Sequence, residues 1–138
     1  MNQFVLVQAD TPDQAGRLLK VTVDLFRRLL GSEPSDTLSA GRTAAAVFPL
    51  LARPGAGIAR SPESGRWILG AGTPFYEGGA GRNALSRLMP GWDHSAPDAP
   101  SAAERTEGIF ALVLGLPDGA FHLLSDRLGN LHVYQRTL

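Results

Sequence analysis

Phe4 to Val7 is a short unbroken apolar run, the pattern of a strand covered on both faces. The polar break Asp10-Thr11-Pro12-Asp13 follows. Thr11 suits an N-cap, Pro12 the first helical position, and Asp13 the positive end of the helix dipole. Ala15, Leu18, Leu19, Leu25, Phe26, Leu29 and Leu30 then recur at helical spacing, and Gly31 supplies the stop. The β-branched Val21-Thr22-Val23 run works mildly against that helix. Ser32 to Ser39 reads as a loop. Ala44 to Ala52 reads as a strand, and Pro49 within it points to an edge or a bulge. Gly57 to Arg60 and Arg66 to Leu69, joined through Pro62-Glu63-Ser64-Gly65, predict a hairpin. Gly70 to Gly81 is glycine-dense and predicts turns. Asn83 to Met89 predicts one short helix ended by Pro90-Gly91, and Trp92 to Ser101 an exposed loop.

The last third has the sharpest pattern. Gly108 to Gly115 predicts a strand, Leu116-Pro117-Asp118-Gly119 a turn, and Ala120 to Ser125 a second strand. Asp126 to Asn130 predicts a tight connection into a third strand, Leu131 to Gln135. Three antiparallel strands in succession make a meander. If Asp126 to Asn130 is the hairpin loop, Leu124 faces His132 and His122 faces Tyr134.

Composition narrows the function classes. With 138 residues the chain predicts one domain over residues 1–138. Thirteen basic residues balance thirteen acidic ones, which argues against bulk-charge binding of nucleic acid or an anionic membrane. The absence of cysteine excludes disulfides, thiolate metal sites and a cysteine nucleophile. Apolar runs are too short for a bilayer span, and the N-terminus lacks a basic segment followed by a long apolar one. A cytoplasmic location is the expectation.

Candidate chemistry outside a family context is thin. His122, Ser125 and Asp126 have the residue types of a hydrolase triad, but alternation puts His122 and Ser125 on opposite faces of a strand. His122 and His132, with Asp93-His94, have no diagnostic metal spacing. Gly78-Gly79-Ala80-Gly81-Arg82-Asn83 before a helix offers backbone amides to an anion, without the lysine and hydroxyl of a phosphate loop. The expectation is no metal and no cofactor.

The strand Gly108-Ile109-Phe110-Ala111, the turn, and Ser125-Asp126-Arg127-Leu128-Gly129-Asn130 before His132-Val133-Tyr134 are similar to a signature of class II glutamine amidotransferase domains. The nearest variety is the N-terminal domain of asparagine synthetases. There a "G-x-F-A" strand leads to "R-D-R-x-G" and then a "P-L-Y" strand, and Ser125 stands here for the first arginine. Upstream, Gly70-Ala71-Gly72-Thr73-Pro74-Phe75-Tyr76 sits where the family has "N-G-E-I-Y-N". The resemblance implies an α+β fold, an Ntn-hydrolase-like sandwich of two antiparallel sheets flanked by helices, here incomplete because family members continue further.

The family's activity is glutamine hydrolysis by an N-terminal cysteine, with an asparagine and a glycine stabilising the oxyanion. Carried over, the nucleophile position is Asn2 and the oxyanion asparagine position is Ala71, while Gly72 keeps the glycine. Neither Asn2 nor Ala71 supports the chemistry. Arg53 is a loose positional match for the substrate-carboxylate site. Gly72, Thr73 and Tyr76 outline a vestigial cleft. Gly108, Asp126, Arg127 and Gly129 have structural roles: Gly108 permits a close approach or a bulge at a strand start, Gly129 suits a turn position with positive φ, and Asp126 accepts backbone N–H groups while Arg127 pairs with it or with a neighbouring carbonyl. The expectation is a catalytically inactive module that contacts a separate ATP-dependent amide-forming synthetase, or a copy of itself where the helix stripe or a sheet face lacks cover. The alternative is ligand binding or non-cysteine chemistry in the cleft through Thr73, Tyr76 or Asp126.

Overall fold

The computed structural model describes residues 2–49, 55–92, 102 and 104–137. Strand β1 (Asn2–Gln8) leads into helix α1 (Pro12–Leu30). Thr11 is in an extended conformation, and its hydroxyl accepts the Gln14 N–H at 3.2 Å. Gly31 closes the helix with φ of 61° and donates its N–H to the Arg27 carbonyl. Both ends are therefore set by the residues expected to set them.

Strands β2 (Asp36–Ala40) and β3 (Thr43–Pro49) complete a three-stranded antiparallel sheet in the order β1-β3-β2. Two expectations fail here. The segment Ser32 to Ser39 is not all loop, because Asp36 to Ala40 pairs along β3. The polar Asp36-Thr37-Leu38-Ser39-Ala40 hides its strand character by exposing Thr37 and Ser39 and burying only Leu38. Pro49 marks neither an edge nor a bulge, since β3 is the central strand. Proline is tolerated because it is the last residue of that strand. Residues 50–52, expected to extend the strand, lie outside the described residues.

The second sheet begins with the expected hairpin, β4 (Gly57–Ser61) and β5 (Arg66–Tyr76). Strand β5 then runs on through the glycine-dense segment, so Gly70 to Tyr76 is a strand and not a turn. It pairs with the two-residue β6 (Gly79–Ala80) and along its length with β7 (Glu107–Gly115). Small residues permit this. A Cβ at Gly115 would enter the Trp67 indole, and one at Gly72 (φ 84°) would strike the Ile109 carbonyl. Strand β8 (Phe121–Ser125) pairs with β7 and ends the sheet, in the order β4-β5-β7-β8. Helix α2 (Arg82–Gly91) extends past the expected stop and holds Pro90 in its last turn. A proline at the C-terminal end of a short helix removes a single backbone bond.

The expected third strand of the meander is absent: residues 131–137 join no ladder and are mostly exposed. Consequently neither His132 with Leu124 nor Tyr134 with His122 forms a cross-strand pair. The local reason is Asp126, whose N–H donates to the Phe110 carbonyl and whose carboxylate then collects the following turn. That closes a loop instead of a hairpin.

Alternation along the strands sorts the apolar residues into three cores. Ala44, Ala46 and Phe48 of β3 meet Ala15 and Leu19 of α1, where Phe26 stacks on Phe48 at 4.5 Å. The opposite face of β3, Ala45 and Val47, meets Ile58, Trp67, Leu69 and Val113 of the second sheet. That sheet's far face, through Ile68, Phe110, Leu112 and Leu114, packs on Ala84, Leu85, Leu88 and Met89 of α2. The chain is thus α+β, with two antiparallel sheets face to face and one helix on each outer side. Trp92, expected in an exposed loop, is buried in the α2 core with Ala102. Residues 93–101 lie outside the described residues, and with them Asp93 and His94.

Candidate functional site

Asn2 is buried, with 4% of its surface exposed. Its Nδ2 donates to the Gly70 carbonyl at 2.9 Å, and its Oδ1 accepts the Gly72 N–H at 2.9 Å. The C=O of one strand residue and the N–H of the second residue on face the same edge. Asn2 therefore engages β5 as one peptide unit of a neighbouring strand would. It does so just past the last β4–β5 pair, Gly57 with Gly70. The Ala56 N–H continues the contact by donating to the Gly72 carbonyl at 3.2 Å. Gly55 closes over the carboxamide so tightly that a Cβ there would occupy the place of Oδ1. The side chain that begins β1 is thus spent on tying one sheet to the other.

The chemical consequence is direct. A carboxamide has no basic lone pair to attack an acyl carbon, and the one amide N–H that Gly72 offers is already taken. Ala71, expected in a turn, lies in strand β5, and alanine offers no side-chain donor there. The residues of the expected cleft are only partly brought together. Thr73 shares a strand face with Trp67 and Leu69 and is exposed, while Tyr76 shares the opposite face with Ile68 and is buried on the α2 side. Strand alternation separates them, so Gly72, Thr73 and Tyr76 do not line one common pocket. Arg53 lies outside the described residues.

Tyr76 has its own partners. The Arg105 guanidinium donates to its hydroxyl at 3.1 Å and lies 5.6 Å from the ring centroid. Burial pushes the Tyr76 phenol up from its usual range, and Arg105 opposes that only in part. Glu77, at φ 46°, holds the turn after β5, accepting from Arg87 through its carbonyl and from Arg105 at its carboxylate. Nothing in the sequence marked Arg105 or Gly55. Their partners lie 29 and 53 residues away, and no local pattern encodes such a pairing.

The aspartate of the signature behaves as expected. Asp126 Oδ1 accepts the N–H of Leu128 at 3.0 Å, the N–H of Asn130 at 3.2 Å and the Asn130 side-chain amide at 3.0 Å. Burial works to raise this carboxyl, but the donors from Asn130 and Leu128 outweigh it and hold it below the usual carboxylate range. Gly129, at φ 61°, takes the positive dihedral anticipated for it, and Gly108, at φ 103°, makes the expected close approach, since a Cβ there would strike the Thr73 carbonyl. Arg127 does not pair with Asp126. It donates to the Glu104 carbonyl at 2.8 Å. His122 and Ser125 alternate along β8, as a strand requires, and this excludes the triad.

Among the described residues no group of three or more His, Asp or Glu gathers closely enough to hold a metal ion. No helix of the described residues is long and apolar enough to cross a membrane. No family model, curated protein or solved structure matches this chain.

Proposed function

We propose that the chain is a catalytically inactive, amidotransferase-like domain of the Ntn-hydrolase sandwich type, serving as an interaction module for a separate ATP-dependent amide-forming synthetase. The observation that carries the reading is Asn2. The first residue of the first strand is where an N-terminal-nucleophile enzyme keeps its attacking group. Here that residue is a carboxamide, buried and held by two backbone hydrogen bonds. The layer order supports the same reading, with two sheets face to face and a helix outside each. So does the order of the first elements, a strand at the N-terminal end, then a helix, then hairpins.

The test has two arms. Purified protein incubated with glutamine is expected to release no glutamate or ammonia above buffer. Turnover that disappears on changing Asn2 would overturn the inactive assignment. In the second arm the protein is mixed with the asparagine-synthetase-like enzyme encoded nearest to it and passed over a sizing column. Co-elution is expected, and separate elution at micromolar concentrations removes the module assignment.

A further inference from the structure

Strand β1 pairs with β3 on one side, and no strand of the described residues occupies its other edge. In an antiparallel ladder alternate residues direct their N–H and C=O to the partner. The Ala9 N–H donates to the Arg42 carbonyl. Counting back from that pair, Val5 and Val7 direct their N–H to β3, and Phe4 and Leu6 direct theirs to the open edge. An edge strand is ordinarily guarded by charge or proline. Asn2-Gln3-Phe4-Val5-Leu6-Val7-Gln8 has neither. This edge is therefore open to pairing with another strand.

The ground beside it is apolar. Strand β1 packs over β5, with Phe4 and Leu6 in the core that buries Val113 of β7. At its far end Gln8 Nε2 donates to the carbonyl of Gly119, in the turn between β7 and β8, at 2.8 Å. Ile109 and Leu123 share the face of Val113 and are exposed. A further strand beside β1 would lie over that face.

One segment of the chain fits the position. Residues 131–137 join no ladder and are mostly exposed. They number seven, as β1 does. Leu131, Val133 and Gln135 alternate with His132 and Tyr134, and no proline, acid, lysine or arginine precedes Arg136. The segment is thus as neutral as the edge. Where it starts decides which edge it can reach. The Asp126 loop carries the chain back across the sheet, so that Leu131 Cδ1 stands 3.0 Å from where a Cβ on Gly72 of β5 would be. Strand β7 separates β5 from β8, so the segment does not begin on the outer side of β8. Gly72 is also the residue whose N–H Asn2 accepts, which puts Leu131 at the Asn2 end of β1. We propose that residues 131–137 are a strap, open in this structure, that closes by pairing with the free edge of β1, parallel to it, as a fourth strand of the first sheet. The strap stands apart from the proposed inactivity and from the proposed synthetase contact, and each can fail alone.

Amide hydrogen exchange, read by nuclear magnetic resonance on the whole chain, tests it. The Phe4 and Leu6 N–H groups are expected to be protected in the wild type at every protein concentration. Val133→Pro with Tyr134→Pro removes two adjacent donors, one of which faces β1 in either register. In that variant exchange at Phe4 and Leu6 is expected to quicken by at least ~10-fold. Val5 and Val7, held by β3, are expected to keep their protection and so report an intact sheet. Fast exchange at Phe4 and Leu6 in the wild type overturns the proposal, as does protection that the prolines leave unchanged. Protection that grows with protein concentration overturns it too, because a second copy would then supply the strand. The Asp126 N–H points to β7, so by alternation the Leu123 N–H points to the outer edge of β8. Protection that the prolines remove from Leu123 instead would place the segment on β8 and overturn the proposal.

Discussion

Asn2 shows how a single side chain can join two sheets, and its substitutions separate the parts of that contact. Asn2→Ala leaves the Gly70 carbonyl and the Gly72 N–H unpaired, at a cost of about 2–3 kcal/mol in denaturant unfolding. Gly55→Ala should cost at least as much, because its Cβ falls on the carboxamide. In an Asn2→Gly background the same Gly55→Ala change should cost far less, a coupling of more than ~1 kcal/mol. Additive costs would show that Gly55 serves something other than Asn2. Asp126 gives a prediction in pH. Its folded carboxyl lies below its ordinary 3.8, so ionisation adds stability above that value, and the gain is lost as pH falls through the depressed folded value. The melting temperature of the wild type should therefore drop between pH 5 and pH 2 more steeply than that of Asp126→Asn, and parallel curves would refute the assignment. Asp126, Gly129 and Gly108 were legible in the sequence because their roles are local or follow from glycine's own freedom. The Asn2 contact was not, because it spans 68 residues and uses a side chain as a surrogate peptide.

At the scale of elements, legibility followed the strength of the periodic signal. Helix α1 was read from its cap, its stripe and its stop, and all three are present. Strand β5 was cut short on paper by its glycines, which here admit Ile109, Leu112 and Ala56 at close range. Residues 131–137 carry the alternation of a strand and form none, since a pattern encodes willingness to pair and not a partner. The α1 stripe is also wider than its contact. Ala15 and Leu19 are buried, whereas Leu25 and Leu29 are 50% and 71% exposed on its flank. Leu19→Ala should cost about 2–4 kcal/mol. Leu25→Gln with Leu29→Gln should change stability by no more than ~0.5 kcal/mol, since neither side chain is needed to cover Phe48. A large loss in the double variant would mean that the flank is buried in solution, and would place a second contact there.

At the scale of the molecule, the question is whether three cores act as one. The middle core joins the sheets through Val47, Ile58, Trp67, Leu69 and Val113, and Asn2 reinforces it at one end. The α2 core lies on the other face of the same sheet and shares its strands, so loosening either face disturbs the backbone ladder that supports the other. A chain of this size with shared strands should unfold as a single cooperative unit. The two tryptophans are placed to check this, Trp67 between the sheets and Trp92 under α2. Trp67→Phe and Trp92→Phe each leave one reporter. Titrated with urea, the fluorescence of the remaining tryptophan in each variant should move together with that variant's far-ultraviolet dichroism. Fluorescence and dichroism that part in either variant would divide the chain into two units, the β1-β3-β2 sheet with α1 and the β4-β5-β7-β8 sheet with α2. The Asn2 bridge would then join separately stable halves instead of completing one fold.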